Sequence, residues 1–368
     1  MPSGEFELQP LGPAYLPLPG GDGPLELSAR LPKELVEPAQ RGLGARELRP
    51  GRWRLRGERG AFEAFAHEDP RAGCLLQAFD GVVAPPPRPR PMGVLNLTPD
   101  SFSDGARFCG ADGRIDTGAV VAEAEAMLAA GAAWLDVGGE STRPGSAEVP
   151  VEEEARRVGP ALEALADAGL IGRVSLDTRK APVAQLGVEC GVQFLNDVSG
   201  GRHDPRLLDV AAEAGVRLVL MHMRGEPGTM GAHARYDDVV EDVAAEWRTT
   251  RREAIARGVD PGRLWFDPGI GFAKQAGHNL ALLRRLAEFR ALGAPILVGA
   301  SRKAFLGVAT GIQVSRDRSA ASLAAATAGA LGGAELLRVH EVAATREALD
   351  VSAALLCGEP SPSGEATP

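Results

Sequence analysis

Asp177, Asn196, Asp267 and Lys303 each follow a short apolar run, and together they could surround a flat nitrogen heterocycle. A carboxylate accepts from the adjacent N–H groups of an aminopyrimidinone, while an ammonium donates to a ring carbonyl and a ring nitrogen; a pterin offers both edges. One Asp at a strand end often does no more than cap the next helix. It is therefore the set of four that points to a ligand. A second set is cationic: Arg143, Arg338 and His340, with Asn96 beside them. It suits a diphosphate accompanied by Mg2+, with Asn96 as an oxygen ligand to the hydrated ion. Taken alone, Arg338 and His340 read equally well as a solvated surface.

The element that presents Asn96 is the most informative stretch of the chain. Residues 92–105 read MGVLNLTPDSFSDG, a buried-strand pattern that runs into a polar turn around Pro99. The chain has three Asn and four Lys in 368 residues, and Arg supplies the rest of its 40 basic side chains. Against that bias, Asn96, Asn196 and Lys303 gain weight by each following an apolar strand. Strand-like runs recur at 92–97, 133–137, 173–176, 193–196, 217–221, 264–266, 295–298 and 335–339, with helical patterns between them. Eight βα units predict a (β/α)8 TIM barrel over residues 92–357. A doubly wound open sheet is the alternative, but the first turn lacks its Gly-rich fingerprint. In a barrel the residues after each strand share one face, and strand 8 adjoins strand 1, so Asn96, Arg338 and His340 become neighbours.

Residues 84–91, APPPRPRP, predict a stiff extended linker without capacity for a central strand. Before it, residues 1–83 alternate with period two at 25–31 and 53–56, which predicts a small β-containing N-terminal extension of unread role. Residues 358–368 are expected to be a disordered tail. No run of 18 apolar residues and no leader-like start occur, so a cytoplasmic protein is expected. The four Cys lack metal-ligand or CxxC spacing and read as reduced thiols. A net charge of −9 argues against nucleic acid as a partner, and makes a local cluster of cations stand out as an anion site.

In chain order, MGVLNLTPDSFSDG, GGESTRPGS, SLDT, NDVSG, MHMRGEPGTM, DPGIGF, ASRK and RVH resemble the motifs of bacterial dihydropteroate synthases. The resemblance covers residues 92–357 and none of residues 1–91. It implies a folate-pathway transferase that joins 6-hydroxymethyl-7,8-dihydropterin diphosphate to para-aminobenzoate and releases diphosphate. On that resemblance Asp177, Asn196, Asp267 and Lys303 contact the pterin, and Asn96 is the Mg2+ ligand. Arg338 and His340 bind diphosphate. Thr142, Arg143 and Pro144 form a mobile loop that completes the aminobenzoate site, which Phe272 lines. A homodimer through helices of the late βα units is also implied, as is a dissociative route in which a pterin methylene cation forms before the amine attacks.

No protein nucleophile is needed, and His222 is expected to pack under the barrel mouth. Three positions depart from the pattern: Ala304 stands where many relatives have Ser, Arg224 where Gln is usual, and Ala273 where Gly is usual. Two rival readings are a pterin-binding methyltransferase domain and a noncatalytic pterin-binding paralogue. The first has no use for STRPG, SRK or RVH; turnover separates the second.

Overall fold

The computed structural model describes residues 7–10, 25–30, 33–49, 52–57, 59–68, 87–98, 108, 110, 114–143 and 145–357. In the extension, β1 (Glu7–Pro10), β2 (Leu25–Arg30), β3 (Arg46–Arg49) and β4 (Arg52–Gly57) make an antiparallel sheet in the order β1-β2-β4-β3. The period-two stretches seen in the sequence are the two central strands, paired so that Leu27 lies opposite Leu55. Two helices, α1 (Lys33–Leu43) and α2 (Arg59–Glu68), were not expected. Pro38 inside α1 interrupts a helical reading, yet Leu35, Ala39 and Leu43 recur every four residues and are buried with Leu55, Phe62 and Phe65. This small core also packs against Ala291 of the barrel.

The barrel begins with β5 (Arg90–Asn96), α3 (Thr117–Ala129), β6 (Trp134–Gly138), α4 (Val151–Asp167), β7 (Val174–Asp177) and α5 (Ala181–Glu189). It continues through β8 (Phe194–Asp197), α6 (Arg206–Ala214), β9 (Arg217–Met221), α7 (Val239–Ala256), β10 (Leu264–Asp267) and α8 (Ala276–Arg284). The last units are β11 (Leu297–Val298), α9 (Ala304–Thr310), α10 (Ser319–Leu331), β12 (Leu336–Val339) and α11 (Val342–Cys357). The eight strands are parallel, in the order β10-β9-β8-β7-β6-β5-β12-β11, and a Phe266–Ile296 bridge joins the two ends into a ring. All eight expected strands are present.

Two boundaries differ from the sequence reading. β5 starts at Arg90, inside the stretch read as linker: Arg90 N–H donates to Glu335 O at 2.9 Å, and Pro91 O accepts from Ala133 N–H at 2.8 Å. Pro91 keeps its carbonyl in the ladder and stands at the start of the strand, where a missing N–H costs least. The helix expected over 280–292 divides into α8 and a 3-10 turn, Leu286–Leu292, which buries Leu286 and Phe289 at the three-residue period of that helix type. The tail after Cys357 lies outside the described residues.

Parallel strands are covered on both faces, which is why they read as apolar runs. Their outer faces and the surrounding helices form one core; Trp247, Phe266 and Phe289 within it meet ring to ring at centroid distances of 5.1 and 4.8 Å. Each such side chain contributes about 1.5–3 kcal/mol by burial. Inside the barrel, Met92, Phe194, Val219, Trp265, Leu297 and Leu336 make an apolar layer. Among the described residues no helix is long and apolar enough to cross a membrane.

Candidate active site

Strand register brings the polar set to one level. Asn96 pairs with Gly138, Gly138 with Asp177, and Asp177 with Asn196, while Asp267 pairs with Met221. These are the C-terminal ends of the strands, the face on which barrels of this kind place ligands. The turn after β10 depends on Gly269, whose φ is +68° and whose absent Cβ would fall 1.9 Å from His222 O. Glycine there lets its own N–H reach Asp267 Oδ1 at 2.7 Å. Lys303, just ahead of α9, donates to Ile270 O and lies 4.6 Å from the centre of the Phe272 ring. Behind Phe272 sits an apolar wall of Val198, Met221, Met223, Met230 and Ala273.

One residue at the centre was not read from the sequence. Asp136, fully buried on β6, accepts from Ser175 Oγ at 2.6 Å, Asn196 Nδ2 at 3.1 Å and Arg338 Nε at 2.5 Å. Its signal was available: a lone carboxylate in the apolar strand WLDVG, two residues before Gly138 and so on the same inward face. Arg338 also reaches Asp177 Oδ2 at 2.9 Å. Because β5 separates β12 from β6, these contacts must run through the barrel interior. The Arg338 guanidinium bridges these two carboxylates while also acting on His340, and its register partner is Met92, four residues below Asn96.

Burial dominates the electrostatics. It pushes the Asp177 carboxyl up, aided by the like charge of Asp136 and opposed by Arg338. It pushes Asp267 up despite Lys303, and Lys303 down to about 8 despite Asp267. Groups poised in this way mark a site where a ligand's own hydrogen bonds can settle the charge.

His340 holds Ser301 Oγ at 2.9 Å and is pushed down to about 3, first by burial and then by Arg302, Arg338, Arg143 and Lys303. Burial and the four neighbouring cations all disfavour a charge on this ring. Thr142 is half-buried and Arg143 exposed on the loop after β6, where Gly145 N–H donates to Pro227 O at 3.1 Å and Ser146 Oγ to Arg143 O at 2.8 Å. Pro144 and most of residues 99–113 lie outside the described residues.

His222 is buried, as expected. Its Nδ1 faces Lys274 Nζ at 3.0 Å and its Nε2 faces Glu246 at 3.0 Å. Arg224, at a departing position, also pairs with Glu246 and lies 4.0 Å from the Tyr236 ring centre. Ala273 takes φ 50°, a left-handed conformation that explains the usual glycine.

The profile of the pterin binding enzyme family matches residues 92–340. The chain is 44% identical over 275 residues to the dihydropteroate synthase of Mycobacterium leprae, covering 73% of this chain and 94% of that one. The chain belongs to the dihydropteroate synthases of that family. A solved dihydropteroate synthase of Xanthomonas albilineans in complex with 7,8-dihydropteroate superposes with a TM-score of 0.63 at 41% identity, over 73% of this chain and 94% of that one. The mitochondrial folate synthesis bifunctional protein of Arabidopsis thaliana is 42% identical over 278 residues, 72% of this chain, and there the chain spans about half (49%) of the plant protein's length. The enzyme is thus a transferase of folate synthesis, and its extension lies outside the matched segment.

Proposed function

We propose that the barrel mouth joins 6-hydroxymethyl-7,8-dihydropterin diphosphate to para-aminobenzoate, with the pterin held by Asp177, Asn196, Asp267 and Lys303. The observation that carries this reading is a set of polar side chains at the strand ends, Asn196 and Asp267 buried and Asp177 and Lys303 half-buried, with several cations around His340. Asp177 and Asp267 accept from the ring N–H edge, and Lys303 donates to the opposite edge. The bond from the pterin methylene to the diphosphate oxygen breaks, the two carboxylates favour the positive charge left on the methylene, and the arylamine attacks and loses a proton. Arg338, His340 and Asn96 take the diphosphate. Thr142, Arg143, Pro144 and Phe272 close over the aminobenzoate and exclude water while the cation exists.

Among the described residues no group of three or more His, Cys, Asp or Glu is placed to hold a metal. A single carboxamide oxygen from Asn96 fits Mg2+, which keeps most of its water and travels with the phosphate it neutralises. When bound, the ion would stabilise the charge of the departing diphosphate. Exposed Val308, Val351 and Leu355 on α9 and α11 support a homodimer through the late βα units, which sedimentation can test. A cytoplasmic location fits the unpaired Cys190. The deciding experiment follows diphosphate release from the dihydropterin substrate with and without para-aminobenzoate. Product formation that requires both is expected; pterin binding without turnover would overturn the catalytic reading.

A further inference from the structure

Beside the mouth lies a charge cluster that the reaction does not use. Arg179, on the turn after β7, is 3% exposed yet contacts three other loops. Its Nε and Nη2 donate to the two oxygens of Glu140 at 3.0 and 3.2 Å, and its Nη1 donates to Glu226 and faces His203 Nδ1 at 3.1 Å. His203 Nε2 in turn meets Glu148 at 3.2 Å. Glu140 immediately precedes the loop that carries Thr142 and Arg143, and its Oε1 accepts the N–H of Val149 on the far side of that loop at 2.9 Å. One carboxylate therefore closes the loop into a ring. Lys180 Nζ joins Glu140 at 2.9 Å and Glu154 at 2.5 Å, which ties the ring to α4. The loop's tip rests on the residue after Glu226 through the Gly145–Pro227 hydrogen bond.

We infer that Arg179 is a positioning residue that clamps the 141–149 loop at its base and sets it against the Glu226–Pro227 turn, so that the loop's side chains meet the aminobenzoate. A bidentate guanidinium–carboxylate pair fixes direction as well as distance, which an ammonium cannot do as well. Burial disfavours charge on Glu140, but the hydrogen bonds from Arg179, Val149 and Lys180 outweigh it and hold the carboxyl below its usual range. Arg179 touches no reacting atom. Its effect reaches the chemistry only through the loop, and the kinetic part of the inference rests on the loop's role at the aminobenzoate site.

The test pairs hydrogen exchange at amides 141–149 with steady-state kinetics in Arg179→Met, Arg179→Lys and Glu226→Ala. Losing a charge-assisted clamp should speed exchange across the loop and raise the aminobenzoate KM in Arg179→Met, each by about tenfold. The kcat and the pterin-diphosphate KM should stay within about twofold. Arg179→Lys should recover part of both effects, because an ammonium still reaches Glu140. Glu226 is half exposed, so Glu226→Ala should fold normally and loosen the loop by a smaller factor, about two- to threefold.

Unchanged exchange over 141–149 in both Arg179→Met and Glu226→Ala overturns the inference. So does a fall in kcat and melting temperature with an unchanged aminobenzoate KM, which would make the cluster purely structural. If Arg179→Met does not fold, exchange in Glu226→Ala decides. A wild-type chain without turnover would remove the functional reading, while the exchange measurements would still judge the clamp.

Discussion

Asp136→Asn is the perturbation that most directly tests how the mouth is organised. The carboxylate is fully buried and serves Ser175, Asn196 and Arg338 at once. Asparagine keeps its shape: the amide oxygen can face Asn196 and Arg338, and the NH2 can face Ser175, whose hydroxyl turns to accept. Geometry is retained and charge is lost. The Arg338 contact then drops from a charge-assisted hydrogen bond, about 1.5–3 kcal/mol, toward a neutral one of about 0.5–1.5, a difference of roughly 1–2 kcal/mol. Arg338 retains Asp177 as its only ionic partner among the contacts seen, and holds it more firmly. A pterin must compete with that pair for Asp177, so its affinity should fall about 5- to 30-fold, the same energy read as a binding ratio. Removing the neighbouring negative charge should also move the Asp177 pKa downward, since Asp136 contributes to raising it. Calorimetry with a pterin at pH 7, alongside thermal melts, measures both consequences. Asp136→Leu is the contrast: it strips the half-buried Arg338 of one partner and leaves Ser175 and Asn196 without their acceptor, and should cost about 3 kcal/mol of stability. Pterin affinity in Asp136→Asn within twofold of wild type would refute the reasoning.

Lys303→Met should abolish measurable pterin binding yet melt no lower than wild type at pH 7. Its folded pKa, about 8, lies below the unfolded value of 10.5, so the charge destabilises the fold below pH 8 and that cost fades between 8 and 10.5; a large drop in melting temperature with intact binding would make Lys303 structural. A chain starting at residue 87 keeps β5 and the Arg88–Asp350 contact at 3.3 Å, and loses the packing on Ala291. It should remain folded and active, and an insoluble or inactive product would place the extension within the barrel's essential core. Para-aminobenzoate should bind weakly to the protein alone and measurably once diphosphate, Mg2+ and a pterin are present, because Thr142, Pro144 and Phe272 must converge on it. Equal affinity by calorimetry under the two conditions would exclude ordered assembly.

The barrel was legible because its strands are short apolar runs, four of which (β5, β7, β8 and β10) end in Asn or Asp, and register then places Asn96, Asp177 and Asn196 on one level. Helix α1 of the extension was hidden by Pro38, and the start of β5 by Pro91, which a strand's first residues can accommodate. Pairings across loops were not legible. Arg179, Glu140 and Glu226 stand far apart in the chain, and only the closed ring brings them together.

Arg338 shows the limit most clearly. Arg338 and His340 lie two apart and so share a face of the strand, at different depths, which the sequence pattern alone did not show. At the depth of Met92, Arg338 meets Asp136 and Asp177, the second of which is a proposed pterin contact. On the proposed reading the guanidinium stands between the two halves of the site: a pterin that took Asp177 would release one of its partners and leave its charge available to the diphosphate. Asp136 would keep the guanidinium in place during that exchange. For this reason the loss of a carboxylate below the rim should be felt in pterin affinity, although nothing in the structure requires it to touch the pterin.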